Sequence, residues 1–316
     1  MRLVVFSDQP GDHELGKKVA EICSAKARVE VASCASLKEL TNLFASSLQT
    51  VLLWSIDGQG QDEASTQTRL IAQYLAPEQV FLFSSKQIVT GSALVGSNVF
   101  GHFFLRTEDE NFPRTIARLI FACYNTKIAE IYAALADGAS VKKIELKSTN
   151  QRKAAIQAIE NILEKKEVPD RICKKVAKGT DELLMNALYR APRDSSGRAY
   201  RADASTLENE DHALVGQESV ELEFINHPDF FAISVCDHFG SLSRKDVQYH
   251  FTRDYQNAEY SMKHGLGIFQ TFQGGLSVLF LVRAAKKTQA WIFAPWSKSY
   301  KEFQGSFHFF SFIFEK

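Results

Sequence analysis

The sequence predicts an α/β protein of two unlike halves. Residues 1–124 should form a doubly wound five-stranded parallel sheet, 125–140 a helical linker, and 141–316 a two-layer α/β sandwich with a mostly antiparallel sheet. Three observations predict this. The chain has 316 residues, which at roughly 150 residues per domain suggests two domains. In its first part, apolar β-rich runs alternate with segments of helical period, the pattern of parallel strands joined by helical crossovers. After residue 141, two consecutive amphipathic helices are followed mostly by strands.

In the first half, Arg2–Phe6 reads as a strand and His13–Ala25 as a helix, followed by Arg28–Ala32 as a strand and Leu37–Ser46 as a helix. Thr50–Ile56 is a nearly unbroken apolar run, as expected of a central strand covered on both faces. Ser65–Tyr74 is helical, and Gln79–Phe83 and Phe100–Leu105 are strands. Asn111–Tyr124 closes the half with Ile116, Leu119, Ile120 and Cys123 on one helix face. The join, Asn125–Ala139, is helix-like, ends in Asp-Gly and contains no histidine. In the second half Val141–Leu146 is a strand, while Arg152–Lys165 and Asp170–Tyr189 are amphipathic helices. Ser219–Ile225, Phe230–Cys236, Leu276–Val282, Gln289–Phe293 and Ser306–Phe314 read as strands, with Lys245–Phe251 a lone helix-prone segment. Ala191–Gln217 is polar and longer than an ordinary connection, so it is expected to be a mobile insertion or a disordered loop.

Composition narrows the function. Lys and Arg number 37, Asp and Glu 37, and the hydrophobic fraction is 45%, which excludes whole-chain disorder, collagen and a disulfide-stapled miniprotein. Zero net charge argues against a dedicated nucleic-acid binder. The five cysteines are scattered, with no C-x-x-C pair, and read as reduced, buried residues of a cytoplasmic protein. The first residues lack the apolar run of a signal peptide, and no stretch approaches the ~20 apolar residues of a membrane span. The eight histidines include no pair at metal-ligand spacing, so no zinc site is expected.

The order of the first half resembles the receiver domain of bacterial response regulators. That resemblance implies acidic residues after the first strand, a phosphoacceptor Asp after the third, Ser or Thr after the fourth and Lys after the fifth. Here the first strand is followed by Ser7 and Asp8, and the third ends Leu53-Trp54-Ser55 with Asp57 beyond it. Ser84 fits its position and Arg106 stands in place of Lys. A site short of carboxylates holds Mg²⁺ poorly. The expectation is a phosphorylation-incompetent pseudo-receiver used for docking or dimerisation; the alternative is a working receiver that uses Asp57.

Four features of the second half bear on chemistry. Glu182 and Asn186 are four apart, on one helix face. Asp237 follows a strand and precedes Gly240 in the run Cys-Asp-His-Phe-Gly, where an acid beside apolar walls can accept the amine of adenine, although Asp and Gly also favour plain turns. Gly265 and Gly267 form a G-x-G before an apolar helix-like run, where free N–H groups attract anions. Gly305-Ser306 precedes the final strand. Each is weak alone. Their order, together with IELKSTNQRKAAIQ and KGTDELLMNALYRA, resembles the GHKL (Bergerat-fold) ATPases, and the anti-sigma-factor serine kinases more than the histidine kinases. The missing histidine in the join also disfavours a histidine kinase.

The resemblance implies ATP and Mg²⁺ as cofactors. It makes Asn186 the metal ligand, Glu182 the catalytic residue polarising an attacking hydroxyl or water, and Asp237 the adenine acceptor beside Gly240. Gly265 and Gly267 would close over the phosphates and Ser306 would support Asp237. Arg190 either helps with phosphates or satisfies a helix end. Phe239 stands where the family has glycine and could crowd the adenine pocket. The implied partner is a small signalling protein resembling an anti-sigma antagonist or a response regulator, with no direct nucleic-acid or membrane partner and with a homodimer left open. Two readings follow: an ATP–Mg²⁺-binding signalling protein acting as a serine/threonine kinase or partner switch, or a catalytically inactive scaffold.

Overall fold

A computed structural model of the chain describes residues 1–25, 27–44, 48–58, 61–84, 99–105, 111–125, 138–201, 211–247 and 267–315. The chain is α/β with both parallel and antiparallel strands. It divides into two compact units. Among the described residues, one comprises 1–125 with Phe309–Ser311, and the other comprises the remainder.

The first unit alternates β1 (Arg2–Phe6), α1 (Pro10–Ser24), β2 (Glu30–Cys34), α2 (Leu37–Phe44), β3 (Thr50–Ser55), α3 (Gln61–Tyr74), β4 (Val80–Ser84), β5 (His102–Leu105) and α4 (Asn111–Asn125). The five strands are parallel in the order β2-β1-β3-β4-β5. Every residue of β3 and β4 is buried, as the unbroken apolar runs require of strands covered on both faces. Pro10 sits in the first turn of α1, where its missing N–H costs nothing. Gly16 lets α1 approach β1: a Cβ there would lie 2.2 Å from Cγ2 of Val5. Phe309–Ser311 add to β5 in antiparallel register, Phe309 opposite Phe104 and Ser311 opposite His102. The buried His102 ring stacks on Phe81 at 4.0 Å and bonds the Ser311 hydroxyl at 3.0 Å.

The second unit runs β6 (Ser140–Leu146), α5 (Gln151–Lys165), α6 (Asp170–Met185), β7 (Val220–Asn226), β8 (Phe230–Asp237), α7 (Gly267–Gln273), β9 (Ser277–Arg283), β10 (Lys287–Pro295) and α8 (Tyr300–Gly305). The final strand, β11 (Phe309–Glu315), ends here with Arg283 bonded to Glu315. β9-β10-β8-β7-β6 pair antiparallel throughout. α6 packs on β8 and β10, and α5 packs on α6. Ile172, Val176, Leu183 and Leu184 are the buried stripe of α6, the face that its helical period sets.

Three local features differ from the sequence reading. The Asp170–Tyr189 helix changes character at Asn186, where a π turn spans Asn186–Arg190 and the Ala191 N–H reaches the Asn186 carbonyl. The last strand begins at Phe309 because Ser299 caps α8: its hydroxyl accepts from the Glu302 N–H while the Glu302 carboxylate accepts from the Lys298 N–H. That S-x-x-E pattern is a helix-start signal. The polar segment after residue 190 is folded at both ends. Asp194 closes a turn by accepting from the Ser196 and Arg198 N–H groups, and Leu214 and His212 tie back to Lys147 and Thr149. Residues 202–210 lie outside the described residues, as do most of the linker and of Lys245–Phe251. Among the described residues no helix is long and apolar enough to cross a membrane. Cys23, Cys34, Cys173 and Cys236 are free and buried.

Candidate functional site

The last turns of α6 gather the first group of predicted residues. Regular i→i+4 bonding continues to Asn186, whose N–H donates to the Glu182 carbonyl, so Glu182 and Asn186 stack one turn apart as the spacing requires. The π turn then adds a residue per turn and brings Arg190 under Asn186, where its Nη1 donates to Asn186 Oδ1 at 2.9 Å. Single π turns inside helices recur at functional sites. Glu182 is mostly enclosed. Burial pushes its carboxyl above the usual carboxylate range, and the charge of Arg190 only partly opposes this. A carboxyl held ready to take a proton is what a general base needs.

Gly267 meets the same carboxyl. A Cβ on Gly267 would lie 1.8 Å from Cδ of Glu182, so the glycine exists at the position Glu182 fills. α7 is fastened to α6 beside this contact. Lys178 Nζ donates to Gln270 Oε1 at 2.9 Å, the Thr271 hydroxyl donates to the Gly267 carbonyl at 2.7 Å, and Gly179 leaves room for Thr271. Gly265 lies outside the described residues.

Asp237 ends β8 and is 6% exposed. Its Oδ1 accepts from the Phe239 N–H at 2.9 Å and the Gly240 N–H at 3.2 Å. Burial still pushes the carboxyl up from its ordinary value, against the lowering pull of those N–H groups and of the hydroxyl of Thr288, its antiparallel partner. Gly240 has φ +57°, and a Cβ there would meet the Arg283 carbonyl at 2.2 Å. Glycine is thus required by the β9–β10 turn, whose Ala285 N–H bonds the Gly240 carbonyl. The Phe239 backbone is the first N–H on Asp237. Ser306 lies past the end of α8 and its hydroxyl donates to the Phe303 carbonyl at 2.7 Å.

The structure therefore brings Glu182, Asn186, Arg190 and Gly267 together through α6 and α7. It sets Asp237 on β8, the strand on which the π turn packs. Thr288 and Gly179 were missed by the sequence reading. Both act across elements far apart in the chain, and neither sits in a motif.

In the first unit, the polar residues at the strand ends bond to one another. The Ser7 hydroxyl donates to the buried Asp12 at 2.6 Å and accepts from the Gln9 N–H. Asp8 pairs with the Gln9 side chain. The Ser84 hydroxyl donates to Asp57 Oδ1 at 2.6 Å, so the predicted Ser/Thr position and the displaced acid meet directly. Arg106 lies outside the described residues.

In comparisons with known proteins, no family model matches the chain and no curated protein matches it.

Proposed function

We propose that the second unit is a GHKL-like (Bergerat-type) domain that binds ATP–Mg²⁺, joined to a receiver-like unit that does not accept phosphate, in a cytoplasmic signalling protein acting on a small protein partner. The observation that carries this reading is the contact of the Glu182 carboxyl with Gly267, on the helix whose next turn presents Asn186. The motif order supports it as well, as do a half-buried and a buried carboxyl, Glu182 and Asp237, both held above their ordinary pKa, since such groups concentrate at functional sites.

The donor chemistry fits the proposed cofactor. Asn186 Oδ1 is the kind of hard oxygen Mg²⁺ takes, and its present partner is a cation, Arg190. Asp237 is fixed by two backbone N–H groups, which leaves a carboxylate edge suited to an exocyclic amine. Bound ATP–Mg²⁺ supplies the transferable phosphoryl group and neutralises its charge. The residues of the chain do the rest. Asp237 orients the base, Asn186 holds the metal side of the phosphates, Arg190 turns from Asn186 toward phosphate oxygen, and Glu182 takes the proton of a partner hydroxyl. Positioning and charge account for most of the rate in such a transfer.

The Arg190–Asn186 bond also favours the second reading, a scaffold whose metal ligand is permanently held by a guanidinium. Thermal unfolding with ATP and Mg²⁺ tests the proposal. A ligand at 100 times its Kd stabilises by about 2.7 kcal/mol, and this gain should vanish in Asp237→Ala and Asn186→Ala. No shift at millimolar ATP–Mg²⁺ would discard nucleotide binding. Arg190→Ala separates the readings: binding weakens if the guanidinium serves phosphate and tightens if it blocks the metal. Phosphate transfer from labelled ATP to a partner, lost in Glu182→Gln, distinguishes a kinase from a nucleotide-dependent switch.

A further inference from the structure

The β7–β8 pair carries a second cluster that the nucleotide reading does not use. Glu221 and Cys236 are direct antiparallel partners, so their side chains stand side by side on one sheet face. His238 is two residues past Cys236 and returns to that face, whereas Asp237 between them points to the other. One donor atom each from Glu221, Cys236 and His238 lies within 4.8 Å of the other two. Gln217 Nε2 donates to the His238 carbonyl at 2.6 Å and fixes the turn that presents the ring.

A second observation points to a cation here. Glu223 is two residues from Glu221 on the same strand face. It is 9% exposed, and its Oε2 is buried without a hydrogen-bond partner. Lys143 is the register partner of Glu223, yet its Nζ sits 2.7 Å from Glu221 Oε1. The partly exposed Glu221 thus takes that ammonium and also feels the charge of Lys287, which bonds Cys236, while one oxygen of the buried Glu223 is left without a hydrogen bond.

We propose that Glu221, Cys236 and His238 bind a borderline-soft divalent cation of the Zn²⁺ class, with Lys143 turning from Glu221 to Glu223 as the ion enters. A thiolate, an imidazole and a carboxylate are the donors zinc prefers, and three protein ligands leave a fourth position for water. Tetrahedral zinc holds its donors about 3.5 Å apart, so the three side chains close by roughly 1 Å. The thiol proton of Cys236 leaves to solvent as the metal–sulfur bond forms. The charges then balance: the ion answers the Cys236 thiolate and Glu221, and Lys143 answers Glu223. Histidine spacing along the chain gave no sign of the site because its ligands are assembled across two strands.

Cobalt is the probe. Full-length protein stripped with chelator is titrated with Co²⁺ and then Zn²⁺. A thiolate-to-cobalt charge-transfer band with tetrahedral d–d bands should saturate at one equivalent and be displaced by Zn²⁺. Cys236→Ser and His238→Ala should each weaken affinity by about a hundredfold or more, beyond the loss expected from an outer-shell change. The proposal is overturned if no band forms, or if the band and affinity persist in Cys236→Ser or His238→Ala. Should Cys236→Ser fail to fold by circular dichroism, His238→Ala and Glu221→Gln decide in the same way: weakened binding supports the site and unchanged binding removes it. Neither result depends on ATP.

Discussion

Two groups of acidic residues, one in each unit, differ in what meets their carboxyl groups. At the strand ends of the first unit Asp12 accepts from the Ser7 hydroxyl, Asp57 from the Ser84 hydroxyl and Asp8 from the Gln9 amide. In the second unit the half-buried Glu182 and the buried Asp237 have carboxyls pushed upward by desolvation. Glu182 lies against a glycine and Asp237 against backbone N–H groups. An acid bonded to a neighbouring hydroxyl or amide stabilises the segments that it joins. An acid held at an electrostatic cost is retained for something other than stability. The contrast favours the second unit as the site of chemistry.

The largest expected effect tests the frame around Asp237. Gly240→Ala combines a positive φ with a Cβ 2.2 Å from the Arg283 carbonyl, a clash with backbone that cannot rotate away. It should cost at least about 3 kcal/mol in urea unfolding. Gly16→Ala in the first unit meets only the Val5 side chain, which can shift, and should cost about 1–3 kcal/mol. Equal losses would mean that the β9–β10 turn gives way more easily than its hydrogen bonding implies.

Acid titration comes next. Burial pulls the His308 ring down from 6.5 to about 4. Below pH 6.5 the unfolded chain takes up a proton that the folded ring refuses. Stability from this group is therefore whole above 6.5 and lost as pH falls toward 4, by up to about 3 kcal/mol. Glu182 and Asp237 act with the opposite sign: their raised pKa values add stability as pH falls toward the ordinary carboxylate range. Subtracting the pH–stability curve of His308→Gln from that of the native chain should leave the histidine slope alone, and a flat difference would refute it.

Asp237→Asn sharpens the comparison further. The amide oxygen keeps the Phe239 and Gly240 bonds and removes a buried charge, so stability at pH 8 should hold or rise by about 1 kcal/mol while ATP–Mg²⁺ binding is lost. Ser84→Ala should behave in reverse. It removes one hydroxyl–carboxylate bond, costing about 1 kcal/mol, and leaves ATP–Mg²⁺ binding unchanged.

Much of this was legible in the sequence. The unbroken run Thr50–Ser55 announces a strand buried on both faces, and the α6 stripe of Ile172, Val176, Leu183 and Leu184 announces a helix packed on a sheet. The Glu182–Asn186 spacing fixes one helix face. These are local properties, because side-chain period follows from backbone geometry a few residues at a time. The Ser299-x-x-Glu302 cap was equally local, but the segment before the Ser306–Phe314 strand was left unassigned, and the helix it starts runs up to Gly305.

What the sequence alone determined is therefore the alternation of elements, the buried stripes and the chemistry on offer at each strand and helix end. Only the tertiary structure decided which groups meet. Phe309–Ser311 pair with residues some two hundred positions earlier in the chain. Glu182 fills the space of an absent Gly267 side chain, Arg190 swings onto Asn186 through a π turn, and Glu221, Cys236 and His238 converge from two strands. Each of these depends on strand register and helix packing. Such long-range contacts are set by burial summed over the whole core, and no short stretch of sequence encodes that sum.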